Sequence, residues 1–133
     1  MTPEDPWTPK YPAMRDEILY AVAAFADEGF HRKVWLEGFA PSQPYAYDFE
    51  MACHALLDDV DLTDDPDRLV GIILKDEHEV AILRRLATAL LNLIEDIGVC
   101  GNFAEALESS KWPTVVTGAK DALVVLGGPD RFP

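Results

Sequence analysis

Basic residues are scarce in this chain of 133 residues, where 11 lysines and arginines stand against 24 aspartates and glutamates, a net charge of −13. Nucleic acids and anionic membrane surfaces are bound through clustered cations. The imbalance therefore argues against both as ligands. It is compatible with a basic protein partner, and equally with high solubility alone, because net charge governs association rather than fold.

Long apolar runs and a signal peptide are also missing. No apolar stretch reaches the roughly 20 residues that span a bilayer, and the N-terminal segment has neither a basic region nor an apolar core. We therefore expect a cytoplasmic protein with no membrane association. In that compartment Cys53 and Cys100 are expected to be reduced thiols.

Catalytic and metal-binding signatures are absent as well. There is no P-loop, dinucleotide-binding glycine motif or nucleophile elbow. His78 and Glu79 begin like a zinc-protease motif, but Ile82 occupies the position of the second histidine. Cys53 and His54 are neighbours on a predicted helix and point about 100° apart, so they cannot form a nucleophile–base pair. The sequence predicts no catalytic residue, no cofactor and no metal ion.

Apolar residues recur at helical spacing through most of the chain, which predicts an all-α fold. We expect a single compact bundle of about five to seven helices. The expected helix starts are Pro12, Tyr45, Asp76, Asn102 and Pro113. The expected helix stops are Gly38, Gly98 and Gly127. The apolar segment Leu69–Leu74 fits a short helix or a buried strand, and helix is favoured because no partner strand is evident.

Prolines divide the chain further. Four of them fall within residues 1–12, a density that prevents a helix and favours an extended arm. The predicted organisation is an N-terminal arm (1–12), a helical domain (13–127) and a C-terminal tail (128–133).

An aspartate-rich segment follows the third predicted helix. Six of the ten residues 58–67 are aspartates, namely Asp58, Asp59, Asp61, Asp64, Asp65 and Asp67. Aligned as a calcium loop beginning at Asp59, the segment has Asp64 where the turn needs glycine and Val70 where calcium needs a bidentate glutamate. The pattern therefore favours a solvated loop over a specific calcium site.

Aromatic residues are concentrated at the other end of the chain, with ten of thirteen in the first fifty residues. Those in the arm and in the following loop are difficult to bury together; they are Trp7, Tyr11, Phe39, Tyr45 and Tyr47. Either the arm folds back and covers them, or some serve a protein interface, where tyrosine and tryptophan are common anchors.

Three segments resemble a small family of uncharacterised acidic helical proteins from actinobacteria. They are Val34-Trp35-Leu36-Glu37-Gly38, Val70-Gly71 leading through Lys75-Asp76, and Lys111-Trp112-Pro113. The resemblance covers roughly residues 13–126. It implies a helical fold and transfers no catalytic residue, because no activity is assigned to that family.

Charge and composition together favour a non-enzymatic protein-binding domain, such as an immunity-type inhibitor of a basic toxin or of another cationic protein. The six aspartates of residues 58–67, with Tyr45 and Tyr47, are the predicted contact residues. The alternative is a small-molecule-binding or enzymatic domain with a pocket lined by Glu50, His54, Lys120 or Cys100. A third possibility is a module that only oligomerises.

Overall fold

The computed structural model describes residues 10–36, 49–59, 66–98 and 102–127. Six α-helices lie in these ranges: α1 (Pro12–Ala26), α2 (Glu28–Phe30), α3 (Phe49–His54), α4 (Glu77–Ile97), α5 (Phe103–Glu108) and α6 (Trp112–Leu126). Wider π-type turns extend α2 over His31–Leu36 and α3 over Ala55–Asp59, and a short 3-10 helix spans Pro66–Leu69. The described ranges contain no β-strand, so the predicted all-α class and helix number are confirmed.

The helices pack in the order α3, α1, α6, α4. Helix α6 lies between α1 and α4, and α3 with its π-type extension covers the other side of α1. The second half of α1, residues 21–26, is buried all round because four of its six residues are alanines, which let neighbouring helices approach closely. The central position therefore belongs to α1 and α6.

Helix α6 runs antiparallel to both neighbours, which gives the bundle two distinct ends. At one end Arg15, near the start of α1, donates to the carbonyl of Leu126 at the end of α6. At the other end Phe25 of α1 packs against Trp112 of α6, with ring centroids 6.4 Å apart. Helix α4 starts at the first end, because Glu79 in its first turn also binds Arg15.

Helix ends follow the predicted capping chemistry. Asp76 caps α4 by accepting a hydrogen bond from the Glu79 amide at 3.1 Å. Asn102 and Glu105 form the predicted capping box at α5, each side chain accepting from the other's backbone N–H at 2.9 Å. Gly127 ends α6 with φ 68°, a left-handed conformation that suits glycine.

The segment after the aspartate-rich region differs from its prediction. Residues 70–74 form a tight turn rather than a helix, because Gly71 takes φ 85° and the amides of Ile73 and Leu74 both donate to the carbonyl of Leu69. The side chains of Ile73 and Leu74 are nevertheless fully buried. The amide of Lys10 donates to the carbonyl of Ile72 at 2.7 Å, which ties the chain just before α1 to this turn. The remainder of the predicted arm, and the start of the third helix before Phe49, lie outside the described residues.

Candidate functional site

The predicted contact residues are only partly placed. Tyr45, Tyr47, Asp61, Asp64 and Asp65 lie outside the described residues. The backbone of Asp58 and Asp59 belongs to the π-type turn that packs against α1, and Asp67 belongs to the 3-10 helix that packs against α4. The two ends of the aspartate-rich segment are thus anchored on different helices.

Four carboxylates lie in the last turn of α4 and on the short helix α5; we call this group the acidic corner, and it comprises Glu95, Asp96, Glu105 and Glu108. The hydroxyl of Ser109 donates to the carboxylate of Asp96, which joins the two helices here. Within the described ranges, no lysine or arginine forms an ion pair with any of the four. The last turn of α4 carries no basic residue to oppose the negative end of the helix dipole.

Other carboxylates have structural duties. Asp27 caps α2 by accepting from the Phe30 amide at 3.1 Å, as Asp76 does for α4. Glu79 is buried and fully engaged, and Glu105 completes the capping box. Part of the acidic surplus is therefore explained by helix capping, whereas Glu95 and Glu108 are exposed and make no hydrogen bond or ion pair within the described part of the chain.

Glu79 and Arg15 form an ion pair that the sequence did not predict. We call this pair and its hydrogen-bonded neighbours the clamp. Arg15 binds both oxygens of Glu79, at 2.8 and 2.9 Å, and also donates to the carbonyls of Ile73 and Leu126. One carboxylate oxygen accepts from the amide of Lys75 at 2.7 Å as well. Every member of this network has partners, so the clamp joins α1, α4, α6 and the 70–74 turn and shows no vacant position for a ligand.

The three described residues of the predicted enzymatic pocket lie on two separate helices, Glu50 and His54 on α3 and Lys120 on α6. Glu50 and His54 share one face of α3, 3.7 Å apart and both exposed, as the spacing predicted. Lys120 is exposed on α6, and Cys100 lies outside the described residues. Cys53 is buried and belongs to the hydrophobic core.

A shallow groove on the solvent side of α4 and α6 is lined by different residues. It consists of two adjoining depressions of about 280 and 470 Å³. The polar lining residues are Arg84, Arg85, Thr88, Asn92, Thr114, Thr117 and Asp121. The groove therefore combines two guanidinium groups with hydroxyl and amide hydrogen-bonding groups.

The end of the bundle opposite the clamp contains seven packed rings, which we call the aromatic cluster: Phe25, Phe30, His31, Trp35, Phe49, Phe103 and Trp112. His31 stacks on Trp35 with centroids 4.9 Å apart and planes 16° apart. It also meets Trp112 at 5.3 Å and Phe103 at 5.4 Å. The cluster connects α1, α2 and its extension, α3, α5 and α6.

His31 has an unsatisfied atom inside this cluster. The residue is 5% exposed, and its Nε2 is buried with no hydrogen-bond partner among the residues that the structure describes. Burial lowers the pKa of His31, although hydrogen bonds to the backbone of Ala24 and Phe25 and the charges of Asp27 and Glu28 act in the opposite direction. The imidazole is therefore held in its neutral form among apolar rings.

No group of three or more histidine, cysteine, aspartate or glutamate side chains in the described ranges is arranged to hold a metal ion. None of the helices described is both long enough and apolar enough to cross a bilayer.

Comparison with known proteins identifies a family and no activity. No curated protein and no solved structure matches the chain. One family model matches residues 9–131, which include all three segments on which the sequence resemblance rested. An actinobacterial source stays a prediction. The chain belongs to the family DUF7945, a domain of unknown function.

Proposed function

We propose that the protein is a non-enzymatic binding domain for a cationic protein, in the manner of an immunity protein that inhibits a basic toxin. The observation that carries the proposal is the net charge of −13, combined with an acidic corner that the described lysines and arginines leave without ion pairs. Complementary charge accelerates association and discriminates against wrong partners.

The position of Glu95 and Asp96 supports this proposal. Carboxylates in the last turn of a helix are unfavourable by about 0.3–1 kcal/mol each, because they face the negative end of the dipole. Asp96 recovers part of this through Ser109, whereas Glu95 has no described partner. A carboxylate that lowers stability and makes no structural contact is expected where the negative surface potential serves binding of a cationic partner.

The aspartate-rich segment extends the proposed contact surface. Asp58, Asp59, Asp61, Asp64, Asp65 and Asp67, with Tyr45 and Tyr47 as aromatic anchors, remain the predicted contact residues from the sequence. The acidic corner adds Glu95 and Glu108, whose replacement leaves the capping groups Asp76 and Glu105 in place.

The experiment begins with capture of partners from the native host on the immobilised protein, at low and high salt. The purified partner is then titrated calorimetrically against the wild type, against a variant with the six aspartates of residues 58–67 changed to asparagine, and against Glu95→Gln with Glu108→Gln. Asp16→Asn with Glu77→Gln removes the same charge as the second variant from exposed positions elsewhere, and serves as its control.

We expect a basic partner whose affinity falls with salt, because exposed charges are screened beyond about 8–10 Å at physiological ionic strength. The aspartate or corner variant should weaken binding more than the control. The proposal fails when no basic partner is captured, or when its affinity is insensitive to salt and to both sets of substitutions.

A second candidate function, small-molecule binding, is favoured by the groove between α4 and α6. Arginine guanidinium groups bind carboxylates and phosphates through paired hydrogen bonds, and Arg84 and Arg85 line the groove beside Thr88 and Asn92. Inorganic phosphate and citrate, titrated into labelled protein, should then shift the backbone resonances of residues 84–92 in the wild type and not in Arg85→Gln. Arg32→Gln, which removes an exposed arginine elsewhere, is the control and should respond like the wild type. Equal shifts in Arg85→Gln, or no shifts in the wild type, would exclude this candidate.

A further inference from the structure

We propose that the aromatic cluster is acid-sensitive. Protonation of the His31 ring loosens the cluster and releases the segment 31–36 from α5 and α6. This goes beyond the proposed binding function and does not depend on it. The proposal starts from the buried Nε2 atom, which has no hydrogen-bond partner within residues 10–36, 49–59, 66–98 and 102–127.

Protonation changes what His31 requires from its surroundings. A neutral imidazole has one N–H donor and one acceptor nitrogen, whereas the protonated ring has two donors and a positive charge. The imidazole of His31 is hydrogen-bonded to the backbone of Ala24 and Phe25, whereas Nε2 has no partner among the described residues. A proton on Nε2 would therefore create a buried donor without an acceptor, together with a buried charge.

The charged groups around His31 do not compensate for this burial. Asp27 and Glu28, on the α2 side, favour the protonated form, but the desolvation effect is larger and lowers the pKa of His31. Elements α5 and α6 present Phe103 and Trp112 to the ring, and neither titrates.

The remaining charged neighbours stand outside the cluster. Arg32 and Lys33, which follow His31 in the chain, and Lys111, which precedes Trp112, are all exposed. The face of Trp35, on which the imidazole stacks, offers a cation–π contact to a protonated ring. The pKa of His31 is nevertheless lowered by burial, so we expect the neutral ring to be the stable form inside the cluster.

The sign of the effect on stability follows from the lowered pKa of His31. In the unfolded chain His31 takes up a proton near its usual pKa of about 6.5, and in the folded chain only at lower pH. Between these two values the unfolded state binds more protons, so stability is full above about pH 6.5 and declines as the pH falls through this window.

The test compares urea unfolding between about pH 5 and pH 8 for the wild type, His31→Phe and the control His78→Gln, which removes an exposed histidine from α4. The carboxylates are common to all three proteins, so their contribution cancels in the comparison. The unfolding constant of the wild type and the control should rise by up to about tenfold per pH unit relative to His31→Phe below pH 6.5. Parallel pH profiles for the wild type and His31→Phe would overturn the proposal.

A second measurement needs no variant of His31. The ring resonances of His31 in the folded wild type should titrate below pH 6.5, and amide exchange in residues 31–36 should accelerate on acidification relative to the intrinsic rate before that of α4 does. A ring that titrates at or above its usual value, or a segment 31–36 that exchanges only together with α4, contradicts the proposal even when His31→Phe does not fold.

Discussion

The two ends of the bundle solve the same problem in opposite ways. At the clamp end Glu79 is buried and Arg15 is partly buried, with side-chain exposures of 4% and 13%, and each charge has several hydrogen-bond partners. At the aromatic end His31 is buried among rings, and one of its nitrogens has no partner in the described part of the chain. A buried polar group is tolerated either by satisfying it or by keeping it neutral, and this protein uses one solution at each end.

This difference determines which end of the bundle is sensitive to pH. The clamp contains groups whose charges are stabilised by each other, whereas the state of His31 depends on pH near neutrality. We therefore expect substitutions to affect the clamp end strongly at every pH, and acidification to act mainly at the aromatic end.

The largest effect should come from placing a charge where the bundle offers no partner at all. Leu90 in the middle of α4 is 0% exposed, and Leu90→Asp buries an unpaired carboxylate there. We expect loss of the folded state, observed as loss of helical circular dichroism. The control is Leu91→Asp, one residue further on and 45% exposed, which should stay folded. A folded Leu90→Asp variant would show that the core face of α4 is assigned wrongly.

The second effect removes one partner from the clamp. Glu79→Ala leaves the guanidinium of Arg15 buried without its carboxylate, and removes the acceptor of the Lys75 amide. We expect a loss of about 3–5 kcal/mol in the free energy of unfolding, measured by urea denaturation.

Two further variants separate the clamp from an ordinary helix-end effect. Glu77→Ala removes an exposed carboxylate from the same turn of α4 and should cost less than about 1 kcal/mol. Arg15→Leu combined with Glu79→Leu should recover much of the loss, because replacing both buried charges avoids an unpaired one. Equal losses for Glu77→Ala and Glu79→Ala would mean that the clamp contributes nothing specific.

The smallest effect removes a hydrogen bond where water can replace it. Asn102→Ala removes the acceptor of the Glu105 amide at the exposed start of α5. We expect a loss of about 0.5–2 kcal/mol in the free energy of unfolding. Ala104→Ser changes an exposed position of the same helix outside the capping box and should have a smaller effect. A loss as large as that of Glu79→Ala would remove the distinction between exposed and buried partners.

Much of the fold could be predicted from short-range patterns. The start of α1 at Pro12, the cap at Asp76, the capping box at Asn102 and the stop at Gly127 all agree with the structure. The turn at 70–74 was predicted wrongly because a segment of six residues carries no reliable period, and Gly71 favours a conformation that interrupts a helix.

The ion pair of the clamp could have been predicted from the helical pattern of the sequence. Arg15 lies three residues before Ile18 and seven before Val22, and Glu79 lies four before Leu83, so both charges fall on apolar stripes. A charge on a core stripe indicates a buried partner of opposite sign. His31 gave a weaker signal, since it lies beside Phe30 and three residues before Val34 in a segment with little periodicity.

Helix positions, helix ends and the excess of negative charge were determined by the sequence itself, because caps and apolar spacing act within one or two turns of the chain. Tertiary structure alone decided that Arg15 meets Glu79, 64 residues away, and that His31 stands among rings from four other parts of the chain. Those contacts depend on how helices pack, and packing is chosen by the shape and burial of whole faces rather than by any local pattern.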